Sequence, residues 1–338
     1  MCKCIQSLLS DLLQKQETPF VLMMACSFTH AKALRRISLV TARSFSQCGV
    51  FKMRHNKRFL LCVGAQKGGT TWLWHALQKH KDVDLGFTKE YHFFDALYHE
   101  EQRFRLNADE RAEQAAISTG TKPEHLQLLM EFYAKPECYY QYFKKVLSQP
   151  GITLTGDFTP SYSMLSEENF RHIRASLIES GFDVKVVFIM REPYDRVWSA
   201  CRMHKKNNPE LYRNDSGAEM SEEEYLNKNF DRKDIWMRTQ YHQTVKALQN
   251  AFPKQDVQFL LYEDLFSECS LSQLFDFLGL SLHEVKIDFT PINKTKRAEV
   301  ISLETISSVR EHYAPVVDTL DALLPELRVK QVWEGYER

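Results

Sequence analysis

A glycine-rich loop follows the first strong strand pattern of the chain and carries residues suited to binding an anion. Phe59–Val63 is a short apolar run, and Gly64-Ala65-Gln66-Lys67-Gly68-Gly69-Thr70-Thr71 separates it from a helical pattern that reaches about residue 80. Glycines let the backbone turn its amides towards an anion, and the start of a helix adds the positive end of its dipole. Lys67 adds a full charge, and Thr70 and Thr71 add hydroxyl donors. The loop therefore predicts a phosphate-type site.

The order of these loop residues argues against an ordinary ATPase or GTPase. A Walker A sequence, G-x-x-x-x-G-K-[ST], places its Lys directly after the second glycine. Here Lys67 precedes Gly68, Gly69, Thr70 and Thr71 instead. A nucleotide-dependent kinase remains the rival enzyme class, and a glycine turn without a ligand is the alternative that has no function.

A second cation stands at the end of the best strand pattern in the chain. Val184–Met190 is mostly apolar and rich in β-branched residues, and Arg191 follows it directly. Ligands of open α/β sheets bind beyond the carboxyl ends of strands, and a guanidinium can bind a phosphate through two parallel hydrogen bonds. Ser199 lies two helical turns further on and can face the same anion. The alternative is an Arg191 that pairs with Glu192 or Asp195 at the surface.

Two groups able to accept a proton lie in the stretch Lys89-Glu90-Tyr91-His92-Phe93-Phe94-Asp95. In extended backbone, side chains two residues apart project to the same side. Glu90 and His92 would then face one pocket, where either could act as a base. A half-buried strand edge with a solvated Glu90 is the alternative.

The elements that must position these groups alternate between strand and helix patterns. Such alternation predicts an α/β fold whose parallel sheet is covered on both faces. Residues 96–135 interrupt the pattern and predict a charged insertion of solvated helices, with a lid as the alternative. Further predicted elements are a helix over 136–148, a strand over 152–155, helices over 166–179, 193–206 and 232–251, a strand over 257–262, and helices over 267–278 and 303–321.

In chain order, these motifs resemble those of sulfotransferases that use 3′-phosphoadenylyl sulfate (PAPS). Lys67-Gly-Gly-Thr-Thr-Trp72 resembles the 5′-phosphosulfate loop of that family, and Arg191 with Ser199 resembles its 3′-phosphate motif. The resemblance spans about residues 59–300. It implies a P-loop-NTPase-like three-layer sandwich with a central parallel sheet, PAPS as the co-substrate, and no requirement for a metal.

The resemblance also implies roles for individual residues. The loop residues Lys67, Gly68, Gly69, Thr70 and Thr71 would bind the 5′-phosphate and the sulfate, with Lys67 near the bridging oxygen. Trp72 would stack near the adenine, and simple helix–sheet packing is the alternative for it. Asn293-Lys294-Thr295-Lys296-Arg297 resembles the late basic loop that closes over the nucleotide phosphates. Lys296 and Arg297 are therefore expected ligands, with a solvated charge run as the alternative.

The acceptor side is similar to one branch of the family. Lys89–Phe94 resembles the Lys-Glu-x-His-Phe-Phe segment of glycosaminoglycan sulfotransferases, whose Glu is the catalytic base, and this implies that role for Glu90. The cytosolic branch uses a His base, so His92 is the second candidate. Two departures argue against a heparan-like acceptor: Asp157 is followed by Phe158 instead of Lys, and no Cys follows the late basic element.

The charge balance of the chain further limits the classes of acceptor that are expected. The chain has 338 residues, 43% hydrophobic and 26% charged, with a net charge of zero, which excludes wholly disordered, collagen-like and disulfide-scaffold classes. Residues 1–58 hold ten basic and two acidic residues, a net of +8, so residues 59–338 carry −8. Nucleic acid is therefore not an expected partner, and neither is a long sulfated polyanion. A neutral or lightly charged hydroxyl is expected, on a carbohydrate first and on a small alcohol, phenol or lipid second.

The N-terminal segment has its own composition. Residues 1–52 predict a disordered extension, and 53–338 a single sulfotransferase domain. No acid occurs between Glu17 and Asp82, which also fits an organellar transit segment, although a cytoplasmic location is favoured. The apolar run at 20–28 is about half the length that a membrane span needs. The eight cysteines show no convincing metal-type spacing. A nucleotide-binding module without catalysis is the non-enzymatic alternative, and the presence of Lys67 and Glu90 argues against it.

Overall fold

A parallel sheet forms the centre of the computed structural model, which describes residues 57–100, 102–103, 123–290 and 299–335. Its strands are β1 (Arg58–Gly64), β2 (Leu154–Asp157), β3 (Asp183–Met190) and β4 (Val257–Leu261), in the order β2-β1-β3-β4. Every neighbouring pair is parallel. This confirms the predicted three-layer α/β fold.

Helices cover both faces of this sheet. Along β1, Phe59, Leu61 and Val63 point into one hydrophobic cluster, and Leu60 and Cys62 point into another. Such alternation is what a strand buried on both faces requires. The helices are α1 (Thr70–Gln78), α2 (Phe93–Tyr98), α3 (Pro123–Ala134), α4 (Pro136–Leu147), α5 (Glu167–Glu179), α6 (Pro193–Asn207), α7 (Glu222–Asn229), α8 (Lys233–Met237), α9 (Tyr241–Ala251), α10 (Glu268–Leu278), α11 (Leu303–Leu323) and α12 (Val329–Glu334).

The strand order places a crevice between the carboxyl ends of β1 and β3. The chain leaves β1 towards one edge of the sheet and leaves β3 towards the other, which is the arrangement of a topological switch point. The Gly64–Thr71 loop begins at the end of β1, and Arg191 follows β3. Ala65 N donates a hydrogen bond to Ile189 O at 2.6 Å, so the two strand ends are held together.

One predicted helix is wrong: residues 232–251 form two helices, α8 and α9, instead of one. The Ile235 carbonyl accepts hydrogen bonds from Arg196 Nη1 at 2.9 Å and from Thr239 Oγ1 at 2.7 Å. In a continuous helix this carbonyl would accept the Thr239 amide. Because side chains take that acceptor, the helix ends at Met237 and restarts at Tyr241.

Two other predictions need adjustment. The strand predicted over 152–155 begins at Leu154. In the charged insertion, α3 buries Leu129 and Phe132, so its described part packs on the core. Residues 101 and 104–122 of that insertion lie outside the described residues. So do residues 1–56, and the extension predicted for 1–52 stays a prediction. No helix in the described ranges is long and apolar enough to cross a membrane.

Candidate active site

The loop after β1 is held in a shape that requires glycine at positions 68 and 69. Gly68 N donates to Ala65 O at 3.0 Å, and a Cβ on Gly68 would lie 2.7 Å from the Ile189 carbonyl oxygen. Gly69 has φ 89° and precedes α1. Lys67, between these turns, also has a positive φ of 69°. Positive φ is unusual for a residue with a side chain, so the surrounding contacts must hold Lys67 in place.

The first turn of α1 presents free backbone donors to the crevice. Its N-cap is Gly69, and no side chain caps the helix. The amides of Thr70 and Thr71 make no backbone hydrogen bond within the described part of the chain. Uncapped amides at a helix start, together with the helix dipole, form an anion-binding site. The order strand, loop and helix is the one that the sequence predicts, and anion binding by the loop stays a prediction.

Arg191 reaches from the end of β3 to this loop. Its Nη1 donates to Lys67 O at 3.3 Å, and its Nη2 donates to Asp195 Oδ2 at 3.2 Å. Its guanidinium lies 4.5 Å from the centre of the Tyr262 ring. The alternative from the sequence is thus partly realised, since Arg191 does pair with Asp195, but the pair is buried and Arg191 is only 8% exposed. The Arg191 Nε is buried and has no partner among the described residues.

Lys67 lies in a field of like charges. Burial, and then the guanidinium groups of Arg191, Arg202 and Arg196, lower the pKa of Lys67 to about 8, while Glu90 acts in the opposite direction. At neutral pH the amine is still mostly protonated. A bound anion would relieve the repulsion among these cations, so the cluster favours an anionic ligand.

Helix α6 adds one residue that the sequence reasoning missed. Ser199 is half-buried on α6, as predicted, and Arg202 follows it by three residues, so both lie on the same helix face as Asp195. The Arg202 guanidinium stacks over the Trp198 ring at 4.6 Å and acts on Lys67. The i, i+3 spacing from Ser199 was the signal that could have identified it.

Glu90 and His92 are close together, but extended backbone does not place them there. His92 has φ 53° and forms the N-cap of α2, and residues 88–92 are not a strand. The physical reason is that Phe93 N and Phe94 N donate to Tyr162 Oη at 3.1 and 3.3 Å, which fixes the chain reversal. His92 Nε2 lies 3.4 Å from Glu90 Oε2.

Lys89 and His92 together control the ionisation of Glu90. Lys89 Nζ donates to Glu90 Oε1 at 2.6 Å. Burial alone would raise the pKa of Glu90, but Lys89 and His92 together hold it well below its usual range. Glu90 is therefore ionised at neutral pH, and its side chain is 39% exposed. It is available as a hydrogen-bond acceptor.

Asp95 extends the pair into a row of three. Its Oδ2 lies 2.8 Å from His92 Nδ1 and also accepts a hydrogen bond from Ser161 Oγ. Asp95 is fully buried. A buried carboxylate on one ring nitrogen fixes the orientation of the imidazole and leaves the other nitrogen towards Glu90. The sequence showed Asp95 three residues after His92, and that spacing was the available signal.

A second buried carboxylate, that of Asp157, is linked by hydrogen bonds to the start of α2. Asp157, at the end of β2, accepts hydrogen bonds from Thr159 Oγ1 at 2.6 Å, Tyr162 Oη at 2.6 Å and Tyr139 Oη at 3.0 Å. Burial raises the pKa of Asp157 to about 6, and the three hydroxyl groups oppose that rise. Because Tyr162 also receives the α2 amides, Asp157 helps to hold the start of that helix.

For three predicted ligands the structure shows no donor-binding geometry, and their roles stay predictions. Trp72 is 3% exposed, donates from Nε1 to Asp288 O at 2.9 Å and packs edge-on against Phe266 at 4.9 Å. These contacts favour helix packing, and the adenine role of Trp72 stays a prediction. Lys296 and Arg297 lie outside the described residues. Across the described ranges, no group of three or more His, Cys, Asp or Glu side chains could hold a metal ion.

With this geometry established, the comparison with protein families decides the assignment. A model described as the sulfotransferase family matches residues 60–284, which is more than half of the chain. The chain belongs to the sulfotransferase family. The match includes the Lys67 loop, the Glu90–Asp95 row and Arg191. It does not select the carbohydrate branch within the family.

A solved structure supports the fold of this sulfotransferase. The chain is similar to a sulfotransferase from Alicyclobacillus acidocaldarius with a TM-score of 0.55 and 21% identity, over 79% of this chain and 95% of that one. A mouse sulfotransferase solved with PAP (adenosine 3′,5′-bisphosphate) matches with a TM-score of 0.40 and 13% identity, over 85% of this chain and 91% of that one. The first similarity supports the fold. The comparison with curated proteins finds no match.

Proposed function

We propose that this sulfotransferase uses PAPS and transfers its sulfuryl group to an acceptor hydroxyl, on a carbohydrate in the first instance. The observation that carries the proposal is the convergence at one crevice of the Lys67 loop, Arg191 and a row of proton acceptors. The charge of Arg191 lowers the pKa of Lys67 and the charge of Glu90 raises it, so Glu90 and the cations of the crevice are within electrostatic reach of one another.

The residues present fit the donor. PAPS carries anionic groups at its 5′ and 3′ ends, and the crevice offers cations at two strand ends. The uncapped amides of Thr70 and Thr71 suit the 5′-phosphosulfate. The partnerless, buried Nε of Arg191 suits the 3′-phosphate, with Ser199 on the adjoining helix face. Trp72, Lys296 and Arg297 keep their proposed roles around the adenine and the phosphates.

The proposed chemistry is an in-line displacement at sulfur. The acceptor oxygen forms a new bond to sulfur while the bond from sulfur to the 5′-phosphate oxygen breaks. The acceptor proton passes to a base, and the electron pair of the broken bond stays on the phosphate. Lys67 and the loop amides stabilise the charge that develops there. The reaction balances without a metal ion.

Glu90 is our first candidate for the base, and His92 is the second. Glu90 is ionised and partly exposed, so it can meet an incoming hydroxyl. His92 connects it to buried Asp95 through 3.4 Å and 2.8 Å contacts. In this arrangement a proton taken by either group is shared along the row, and Asp95 stabilises the imidazolium.

The acceptor is proposed to be neutral or lightly charged. Residues 59–338 carry a net charge of −8, so an extended basic groove for a polyanion is not expected. Among neutral hydroxyls, the similarity around Glu90 favours a carbohydrate. A small alcohol, phenol or lipid head group is the second candidate.

Ligand-dependent melting tests the donor assignment. PAP should raise the melting temperature, and ATP with Mg²⁺ should not, because a ligand stabilises only the state that binds it. Transfer of labelled sulfate from PAPS to a panel of hydroxyl acceptors then tests the reaction. Stabilisation by ATP with Mg²⁺ alone would favour the kinase alternative. PAP binding without transfer to any acceptor would favour a nucleotide-binding module.

A further inference from the structure

Arg196 is a fully buried cation that donates hydrogen bonds to Gln66 in the Gly64–Thr71 loop. It lies in the first turns of α6 and is 0% exposed. On one side it donates from Nη2 to Gln66 Oε1 at 3.1 Å and from Nε to Gln66 O at 3.4 Å. On the other side it donates from Nη1 to Ile235 O and to Thr239 Oγ1, both at 2.9 Å. It therefore joins the loop to the break between α8 and α9.

All of these acceptors are neutral. Asp234 attracts Arg196 electrostatically, but its carboxylate bonds to Arg232, at 2.6 Å from the Arg232 Nε. A guanidinium keeps its proton in proteins, so the buried charge cannot be avoided by titration. Burying a charge without a hydrogen-bonded counter-charge is costly. Packing alone would be served better by an apolar side chain, so the position calls for another explanation.

The loop supplies that explanation. Gln66 immediately precedes Lys67, whose positive φ of 69° must be held by its surroundings. Arg196 binds both the backbone and the side chain of Gln66, and Arg191 binds the carbonyl of Lys67 itself. The two arginines thus hold consecutive residues of the loop. Arg196 also adds its charge to the field around the Lys67 amine.

We propose that Arg196 is a positioning residue for the donor: through Gln66 it fixes the backbone that presents Lys67, and the 5′-phosphosulfate end of the bound donor balances its charge. This rests on the proposed function, in which the loop takes the 5′ end and Arg191 takes the 3′-phosphate. Substitution of Arg196 should consequently weaken the binding of the 5′-phosphate end of the nucleotide and leave the binding of the 3′-phosphate unchanged.

The experiment compares three nucleotides by calorimetry: PAP, adenosine 5′-monophosphate and adenosine 3′-monophosphate. Arg196→Lys keeps the charge but cannot bond both sides. Gln66→Ala removes the side-chain link at a half-exposed site, so it tests the idea even if Arg196→Lys does not fold. Thr239→Val is the matched control, because it removes an acceptor of Arg196 on the side away from the loop.

Arg196→Lys and Gln66→Ala should each weaken PAP and adenosine 5′-monophosphate by about tenfold, with adenosine 3′-monophosphate unchanged. In turnover, the KM for PAPS should rise while the KM for the acceptor stays constant. Thr239→Val should lower the melting temperature and leave all three affinities unchanged.

Equal losses for both monophosphates, or none, would overturn the role of Arg196, as would a Thr239→Val that matched Gln66→Ala in its nucleotide affinities. If the wild-type protein binds no PAP, the proposed function itself fails, and that result is distinct from any change among the variants.

Discussion

At the scale of single residues, the site depends on cations held close to one another. Lys67 is half-buried, and Arg191, Arg196 and Arg202 all act to lower its pKa. Such crowding lowers the pKa of the Lys67 ammonium group and strengthens the attraction of the whole cluster for an anion. Glu90 acts in the opposite direction and is itself held ionised by Lys89 and His92. The donor and acceptor sides are therefore electrostatically coupled.

The first prediction concerns the pH dependence of turnover. Lys67 stabilises the leaving phosphate only when protonated, and its pKa is lowered to about 8. Activity should therefore fall as the pH rises through about 8. Arg202→Gln removes one of the charges that lower this pKa, so the alkaline limb should move to higher pH. The measurement is kcat/KM for PAPS as a function of pH, because this ratio reports the groups of the free enzyme before the donor anion alters the pKa of Lys67.

A surface variant provides the control for this profile. Arg171→Gln removes an arginine that pairs with Glu167 on α5 and is 56% exposed, and it should leave the alkaline limb in place. An alkaline limb that does not respond to Arg202→Gln would show that another group titrates there.

The second prediction separates the two candidate bases. Glu90→Gln removes the proton acceptor but keeps its size, so kcat should fall by about 10²–10⁴-fold, while the affinity for PAP is retained. His92→Gln should have a smaller effect, because it removes the link to Asp95 and leaves Glu90 ionised. A larger loss in His92→Gln than in Glu90→Gln would reverse the assignment, and unchanged turnover in both would exclude the row from catalysis.

At the scale of elements, contacts between distant segments decide the geometry of the acceptor side. The Asp157 carboxylate, at the end of β2, binds Tyr139 from α4 and Tyr162 from the following 3₁₀ turn. Tyr162 then accepts the first amides of α2, which fixes His92 in its left-handed conformation. One buried carboxylate thus connects the sheet to the row of Glu90, His92 and Asp95.

The third prediction tests this connection. In Asp157→Asn an amide donor replaces one carboxylate oxygen among three hydroxyl donors, so the free energy of unfolding should fall by about 1–3 kcal/mol. The folded-state pKa of Asp157 is raised to about 6. The advantage of the wild type should therefore be greatest below about pH 4 and decline as the pH rises through about 6. Urea unfolding of both proteins between pH 4 and 7.5 measures this difference, and an advantage that grows with pH would contradict the prediction.

Features of the fold that depend on neighbouring residues could be predicted from the sequence, whereas features that depend on residues far along the chain could not. The bounds of the helices predicted over 166–179 and 267–278 agree closely with the structure, because capping depends on neighbouring residues: Ser166 caps the start of the first, and Gly279, in the left-handed conformation, ends the second. The break between α8 and α9 was not predictable, since it depends on Arg196, which lies some forty residues earlier. The turn at His92 likewise depends on Tyr162. At Lys67 and Arg191, where motif and strand end coincide, the structure places both residues at the predicted strand ends, and their roles as ligands stay predictions.

At the scale of the whole molecule, the balance of charge limits the choice of acceptor. The chain is neutral, but residues 59–338 carry −8. The cations that we propose to bind the donor lie at a few buried or half-buried points, around Lys67 and Arg191. In the proposed complex the donor neutralises these cations, so the net charge left for the acceptor to meet is more negative still. Long-range repulsion should thus disfavour a polyanion before any specific contact forms.

The fourth prediction follows from this repulsion. With a neutral oligosaccharide, kcat/KM for the acceptor should hardly change between 20 and 200 mM salt, whereas with a sulfated oligosaccharide of the same length it should be lower and should rise with salt. The reason is that salt shortens the Debye length from about 20 Å to below 10 Å and screens the net negative charge of residues 59–338. PAP affinity, measured in parallel, corrects for the weakening of donor binding by salt. A sulfated acceptor that reacts faster at low salt would require a basic acceptor surface, and the proposed neutral acceptor would then be wrong.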